Sequence, residues 1–97
     1  MPSEVPAGHF KILYFATASS FTQKSSEALP APVPATELFS ELEKKYPGIS
    51  EKVLSSCAFT VNMEYVDVED EALKPTEERV VIKEGDEVAI IPPVSSG

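Results

Sequence analysis

Residues 10–16, Phe-Lys-Ile-Leu-Tyr-Phe-Ala, constrain the fold more than any other stretch of this chain. They are aromatic and β-branched, which predicts a strand. Strand alternation puts Phe10, Ile12 and Tyr14 on one face and Lys11, Leu13 and Phe15 on the other. Both faces are largely apolar, so the strand is expected at the centre of a sheet with material packed on each side. Lys11 marks the face it shares with Leu13 and Phe15 as the less buried one. A chain of 97 residues builds one modest core, so this strand should organise a single domain.

The rest of the chain supplies what such a strand needs. Residues 1–8 are small and polar and predict a loose tail. In residues 17–34, Pro30, Pro32 and Pro34 remove donors at alternate positions, leaving room for a short edge strand only. A helix is predicted next. Thr36 is a candidate N-cap, Glu37 and Glu41 suit its positive end, and Lys44 and Lys45 suit the other. Leu38, Leu42 and Tyr46, with Phe39 beside them, form one apolar stripe, and Pro47-Gly48 ends the helix. Ile49, Val53 and Leu54 predict one further short turn.

From 58 to 66 the residues alternate as one strand, with Phe59, Val61, Met63 and Tyr65 on a common face. Residues 67–79 are acidic and read as irregular. Val80-Val81-Ile82, a turn at Glu84-Gly85-Asp86 and Val88-Ala89-Ile90-Ile91 read as strand, turn, strand. One main helix on one face of a mixed sheet is an α+β arrangement. The element order is that of the ubiquitin-like β-grasp. The expected division is a tail at 1–8, a β-grasp domain at 9–93 and an extended tail at 94–97.

Several classes of function are disfavoured. A net charge of −8 argues against nucleic-acid binding, which needs clustered Lys and Arg, and suits basic protein partners instead. No apolar run approaches the roughly 20 residues of a membrane helix, and the N-terminus lacks the pattern of a secretory signal. With one cysteine and no internal disulfide to form, the expected location is the cytosol. Four scattered glycines build no phosphate-cradling loop. Cys57 and His9 are single residues of their kinds, so no Cys/His zinc site is expected, and Cys57 reads as a packing residue. Asp67, Glu69, Glu71 and Glu78 have the spacing of a calcium loop. Ala72 stands where that loop needs glycine, and Pro75 interrupts it, so a solvated acidic segment is expected.

The end of the chain is the unusual part. Pro92 and Pro93 stop the last strand, since neither has an N–H to donate. Val94, Ser95, Ser96 and Gly97 then make a thin, uncharged strip. Such a strip could thread a narrow channel, and a terminal glycine leaves its carboxylate open to attack.

Gly85-Asp86-Glu87-Val88-Ala89-Ile90-Ile91-Pro92-Pro93-Val94 resembles the C-terminal signature of the molybdopterin synthase small-subunit family. Lys11 to Ala16 is similar to that family's first strand, and Val61 to Val66 to its middle strand in the eukaryotic form. The family usually ends in a double glycine and Ser96 stands before Gly97 here. Either serine, being small, is accepted there or the native sequence runs one residue further. Many bacterial members carry an arginine where this chain has Ala18-Ser19-Ser20.

The resemblance implies a sulfur carrier with no catalytic side chains and no permanently bound cofactor. A ubiquitin-activating-like adenylyltransferase would use ATP to adenylate the Gly97 carboxylate, which a sulfur donor would convert to a thiocarboxylate. The tail would then enter the synthase large subunit, in a heterotetramer, and give sulfur to cyclic pyranopterin monophosphate to build molybdopterin. Leu13, Phe15, Ala89 and Ile91, on the sheet face away from the helix, are the candidate docking residues. The competing readings are a carrier for transfer-RNA thiolation, a protein modifier and a pure interaction domain. A second small core formed by residues 17–34 over that face is the competing reading of the patch.

Overall fold

The computed structural model describes residues 5–91. The strand of residues 10–16 becomes β1 (His9–Tyr14), which lies inside the sheet as expected but beside the central strand, and only one of its faces carries the core. It pairs antiparallel with β2 (Ser26–Pro30) on one side and parallel with β7 (Glu87–Ile91) on the other. β7 pairs antiparallel with β4 (Ala58–Val61), and β4 with β5 (Glu64–Val66). The sheet order is β2-β1-β7-β4-β5, which is the mixed sheet the sequence predicts.

One face of this sheet carries the core. Phe10, Ile12 and Tyr14 of β1, Phe59 and Val61 of β4, and Val88 and Ile90 of β7 are buried there. α2 (Leu38–Lys45) contributes Leu38 and Leu42, both fully buried, and the Phe39 ring lies 5.4 Å from that of Phe59. An eight-residue helix is marginal alone in water. Burial of each leucine is worth about 1.5–3 kcal/mol, so packing on the sheet is what holds α2. Gly48, at φ +94°, turns the chain after the helix. α3 (Ile49–Lys52) supplies the expected extra turn, and the Glu43 carboxylate accepts the N–H groups of Gly48 and Ser50 at its start. Those backbone donors hold the Glu43 carboxyl below its ordinary value.

Five local readings are corrected. α1 (Thr17–Thr22) stands where only loop and edge strand were expected. Its small polar residues have weak helix propensity, and burial of Ala18 and Thr22 overrides that preference. Thr36 is not an N-cap, because it lies inside a 3-10 turn at Ala35–Glu37. The Ala35 N–H is satisfied instead by the Val80 carbonyl at 2.9 Å. Residues 58–66 are a hairpin, not one strand, since Asn62 and Met63 both take positive φ and Val61 faces Glu64.

Residues 67–79 are not irregular. They include α4 (Val68–Leu73) and a 3-10 turn at Thr76–Glu78. The Asp67 carboxylate accepts the Asp70 N–H at the start of α4. Glu71 is buried with its oxygens engaged by the Lys74 ammonium and the Val80 N–H. Finally, β6 (Val81–Ile82) does not form a hairpin with β7. β1 and β4 occupy both edges of β7, so β6 pairs with β3 (Val33–Pro34) in a separate small sheet. Among the described residues no helix is long and apolar enough to cross a membrane.

Candidate functional site

β7 leads to the C-terminal segment, and its register shows where that segment leaves the body. Leu13 lies opposite Ala89 and Tyr14 opposite Ile90, while Ala58, the first residue of β4, lies opposite Ile91. The chain therefore leaves β7 beside the end of β1 and the start of β4. Pro92, Pro93, Val94, Ser95, Ser96 and Gly97 lie outside the described residues.

The sheet face turned away from α2 runs up to this exit. One row across it is Leu13, Ala89, Thr60 and Tyr65, each a register partner of the next. Leu13, Ala89 and Ile91 are half-buried, and Thr60 is buried. Phe15 follows β1 at the level of Ile91 and is 47% exposed. The structure thus brings Leu13, Phe15, Ala89 and Ile91 to one end and one side of the sheet. Residues 17–34 make α1, β2 and β3 and leave Phe15 in water.

Tyr65 is the residue that sequence reasoning put on the wrong face. Reading one strand through Asn62 and Met63 assigned it to the side of Phe59 and Val61. The two-residue turn shifts the phase, so Phe59 faces Val66 and Thr60 faces Tyr65. Tyr65 is 71% exposed at the end of the apolar row. Asn62 alone offered a signal, since asparagine tolerates positive φ, whereas Met63 offers none.

Local structure fixes how Phe15 is presented. Tyr14, its neighbour, is buried on the core face and donates its hydroxyl to Glu27, as does Tyr46. Burial and the Glu27 carboxylate raise the Tyr14 hydroxyl far above its ordinary value, so it stays a donor. Burial opposes charge on Glu27, but the bonds from Tyr14, Tyr46 and Lys24 outweigh it and hold the carboxyl below its usual range. Directly after Phe15, Ala16 takes φ 52° and ψ −123°. A side chain there is strained by about 1–3 kcal/mol, so the corner is held by its surroundings. Its bonds are visible: the Phe15 and Ala16 carbonyls accept the N–H groups of Ala18 and Ser20 at 3.0 Å each.

On this face exposed Glu87 lies opposite Lys11, while Glu64, the partner of Val61, points to the other side. Among the described residues, no group of three or more His, Cys, Asp or Glu side chains could hold a metal ion. Cys57 is half-buried against the core, and burial pushes its thiol up, away from the reactive thiolate. The described part of the site is one sheet face and the end of the strand that leads to the C-terminal segment.

Comparison with known proteins places the fold and the family. The chain is 64% identical over 96 residues to a molybdopterin synthase sulfur carrier subunit of Pyrenophora tritici-repentis, covering 99% of this chain and 98% of the relative. The human protein of the same name is 36% identical, covering 96% of this chain and 99% of that one. Among solved structures, a putative molybdopterin converting factor subunit 1 from Pyrococcus furiosus superposes with TM-score 0.69 at 23% identity, covering 89% of this chain and 98% of that chain. A complex of subunits 1 and 2 of the molybdopterin-converting factor from Helicobacter pylori contains a chain that matches with TM-score 0.55 at 17% identity, over 92% of this chain and 99% of that one. The ThiS family matches residues 12–97, from the middle of β1 through the last residue, and the chain belongs to that family.

Proposed function

We propose that this chain is the sulfur carrier of molybdenum cofactor synthesis and that its working group is the α-carboxylate of Gly97. The observation that carries the reading is the exit of β7 at the end of the sheet face that presents Phe15 and Tyr65 to solvent, continued in the sequence by Pro92-Pro93-Val94-Ser95-Ser96-Gly97. The name shared by the fungal and human relatives supports it.

A carboxylate is a poor electrophile. In the proposed sequence a ubiquitin-activating-like adenylyltransferase joins the Gly97 carboxylate to the α-phosphorus of ATP, releasing pyrophosphate. Hydrosulfide then attacks the acyl carbon, AMP leaves with the bridging oxygen, and a thiocarboxylate remains. The chain needs no catalytic side chain and no resident cofactor, because activation and transfer both occur in partners' sites. The charged tail then enters the synthase large subunit and gives sulfur to cyclic pyranopterin monophosphate. The Helicobacter complex of subunits 1 and 2 supports a large-subunit partner, and two carriers on a dimer of that subunit would make a heterotetramer. Leu13, Phe15, Ala89 and Ile91, extended by Tyr65, form the proposed docking face. The proposed compartment is the cytosol.

A protein-modifier reading has one observation in its favour. The fold also matches small archaeal modifier protein 1 from Haloferax volcanii, with TM-score 0.66 at 17% identity over 90% of this chain and 99% of that one. Deleting the gene in its host separates the two. Loss of every molybdopterin-dependent activity is the expected result. Normal activities together with lysine conjugates of this chain in the parent strain would contradict the carrier reading.

A further inference from the structure

The start of β7 is held by side-chain bonds that the docking face and the tail do not account for. Asn62, at the tip of the β4–β5 hairpin, reaches across to residues 86 and 87. Its backbone N–H donates to the Glu87 carbonyl at 2.7 Å, and its side-chain oxygen accepts the Glu87 N–H at 3.0 Å. Its side-chain amide donates to one oxygen of Asp86 at 3.1 Å, and the other Asp86 oxygen accepts the Lys83 N–H at 2.8 Å. Asn62 does this at φ 52°, a conformation that asparagine tolerates better than most side chains.

This clamp answers a problem that hydrophobic patterning leaves open. Alternation forbids a one-residue slip of β7 against β4, because it would turn Val88 and Ile90 out of the core. A two-residue slip keeps both side chains turned to the core side of the sheet, so alternation alone does not exclude it. It would also shift the chain beyond Ile91 by about 7 Å, at about 3.3 Å per residue. The side-chain bonds of Asn62 and Asp86 fit the observed register alone.

We infer that Asn62, acting through Asp86 and Glu87, is a positioning residue that sets the register of β7 and with it the reach of the reactive C-terminus. Asn62 touches no reacting group. It lies at the opposite end of β7 from the exit and acts through the strand. The activity arm of this inference rests on the reading of Gly97 as the reactive end, and the register arm does not.

The test exchanges the donor and the acceptor. Asn62→Asp sets two carboxylates against each other. Asn62→Asp combined with Asp86→Asn restores all the side-chain bonds. The carboxylate now at position 62 can accept both the Glu87 N–H and the amide N–H at position 86, and the amide oxygen at position 86 can accept the Lys83 N–H. Asn62→Gly keeps the positive φ and deletes the clamp without adding charge, and it replaces Asn62→Asp should that variant fail to fold. Register is read in the full labelled chain from cross-strand Hα–Hα contacts between 58–61 and 88–91. Activity is read as kcat and KM for sulfur gain with the activating enzyme and ATP.

The single variants should show a second set of β7 contacts and a kcat lowered about tenfold or more, given that a 1 Å misplacement can cost about a hundredfold. Any change in KM should be smaller than the loss in kcat, because Leu13, Phe15 and Tyr65 keep their places while the C-terminus moves. The double variant should recover both register and kcat. Wild-type register and kcat in the single variants, an altered register with wild-type kcat, or no recovery in the double variant would each overturn the inference. If the wild-type chain gains no sulfur while the register responds as described, the Gly97 reading fails and the clamp stands as a register device.

Discussion

Phe15 and Tyr65 keep large rings in water, and an aromatic side chain offers about 150–250 Å² for burial. Two such rings on the sheet face turned away from α2 are the proposed anchors for a partner's pocket. Truncating an anchor of this kind commonly costs about 2 kcal/mol or more, about thirtyfold in Kd. Phe15→Ala, Tyr65→Ala and Ile91→Ala should each weaken binding to the synthase large subunit by calorimetry. The melting temperatures of Phe15→Ala and Tyr65→Ala should stay close to that of the parent chain, since neither ring is in the core. Normal binding by all three variants, or unfolding of all three, would place the interface elsewhere. Phe15 was legible in the sequence because strand alternation alone assigns its face. Tyr65 was not, because Asn62 and Met63 carry apolar and polar residues in a sequence that mimics continued alternation.

Elements are joined at one polar point near this surface. Glu27 of β2 accepts from Tyr14 of β1 and from Tyr46 at the end of α2, and it pairs with Lys24 at 3.2 Å and Lys45 at 3.7 Å. Its side chain is 10% exposed, so these bonds are sheltered from water. Its folded carboxyl lies below the ordinary value, and an unfolded glutamate titrates near about 4.3. The stability it contributes is therefore complete above that unfolded value and is lost as pH falls through the folded one. Glu27→Gln should cost about 1–3 kcal/mol at neutral pH, by the usual worth of bonds to a charged group. The gap in melting temperature between variant and parent should close as pH drops below about 4.3. A gap that is constant or widens toward acid would contradict the role given to Glu27.

The elements with strong internal periodicity, β1, α2 and β7, were readable from residues alone. α1, the hairpin at 62–63 and the displacement of β6 were not. Each of those depends on a distant partner: burial of Ala18 and Thr22, the reach of Asn62 to Glu87, and the occupation of both β7 edges by β1 and β4.

Across the whole molecule, the proposed roles fall to a body that docks and an end that reacts. The sheet holds β7 between β1 and β4, and a net charge of −8 suits basic partners. The reactive end was legible only as sequence, from Pro92 and Pro93 onward, because its chemistry is that of a backbone carboxylate. The most direct measurement is the intact mass of the full chain after incubation with the activating enzyme, ATP and a sulfur source. The account predicts a gain equal to one sulfur minus one oxygen, mapped by fragmentation to Gly97, and no gain when a residue is appended after Gly97. An unchanged mass with Gly97 intact, or a gain that maps to Cys57, would contradict it.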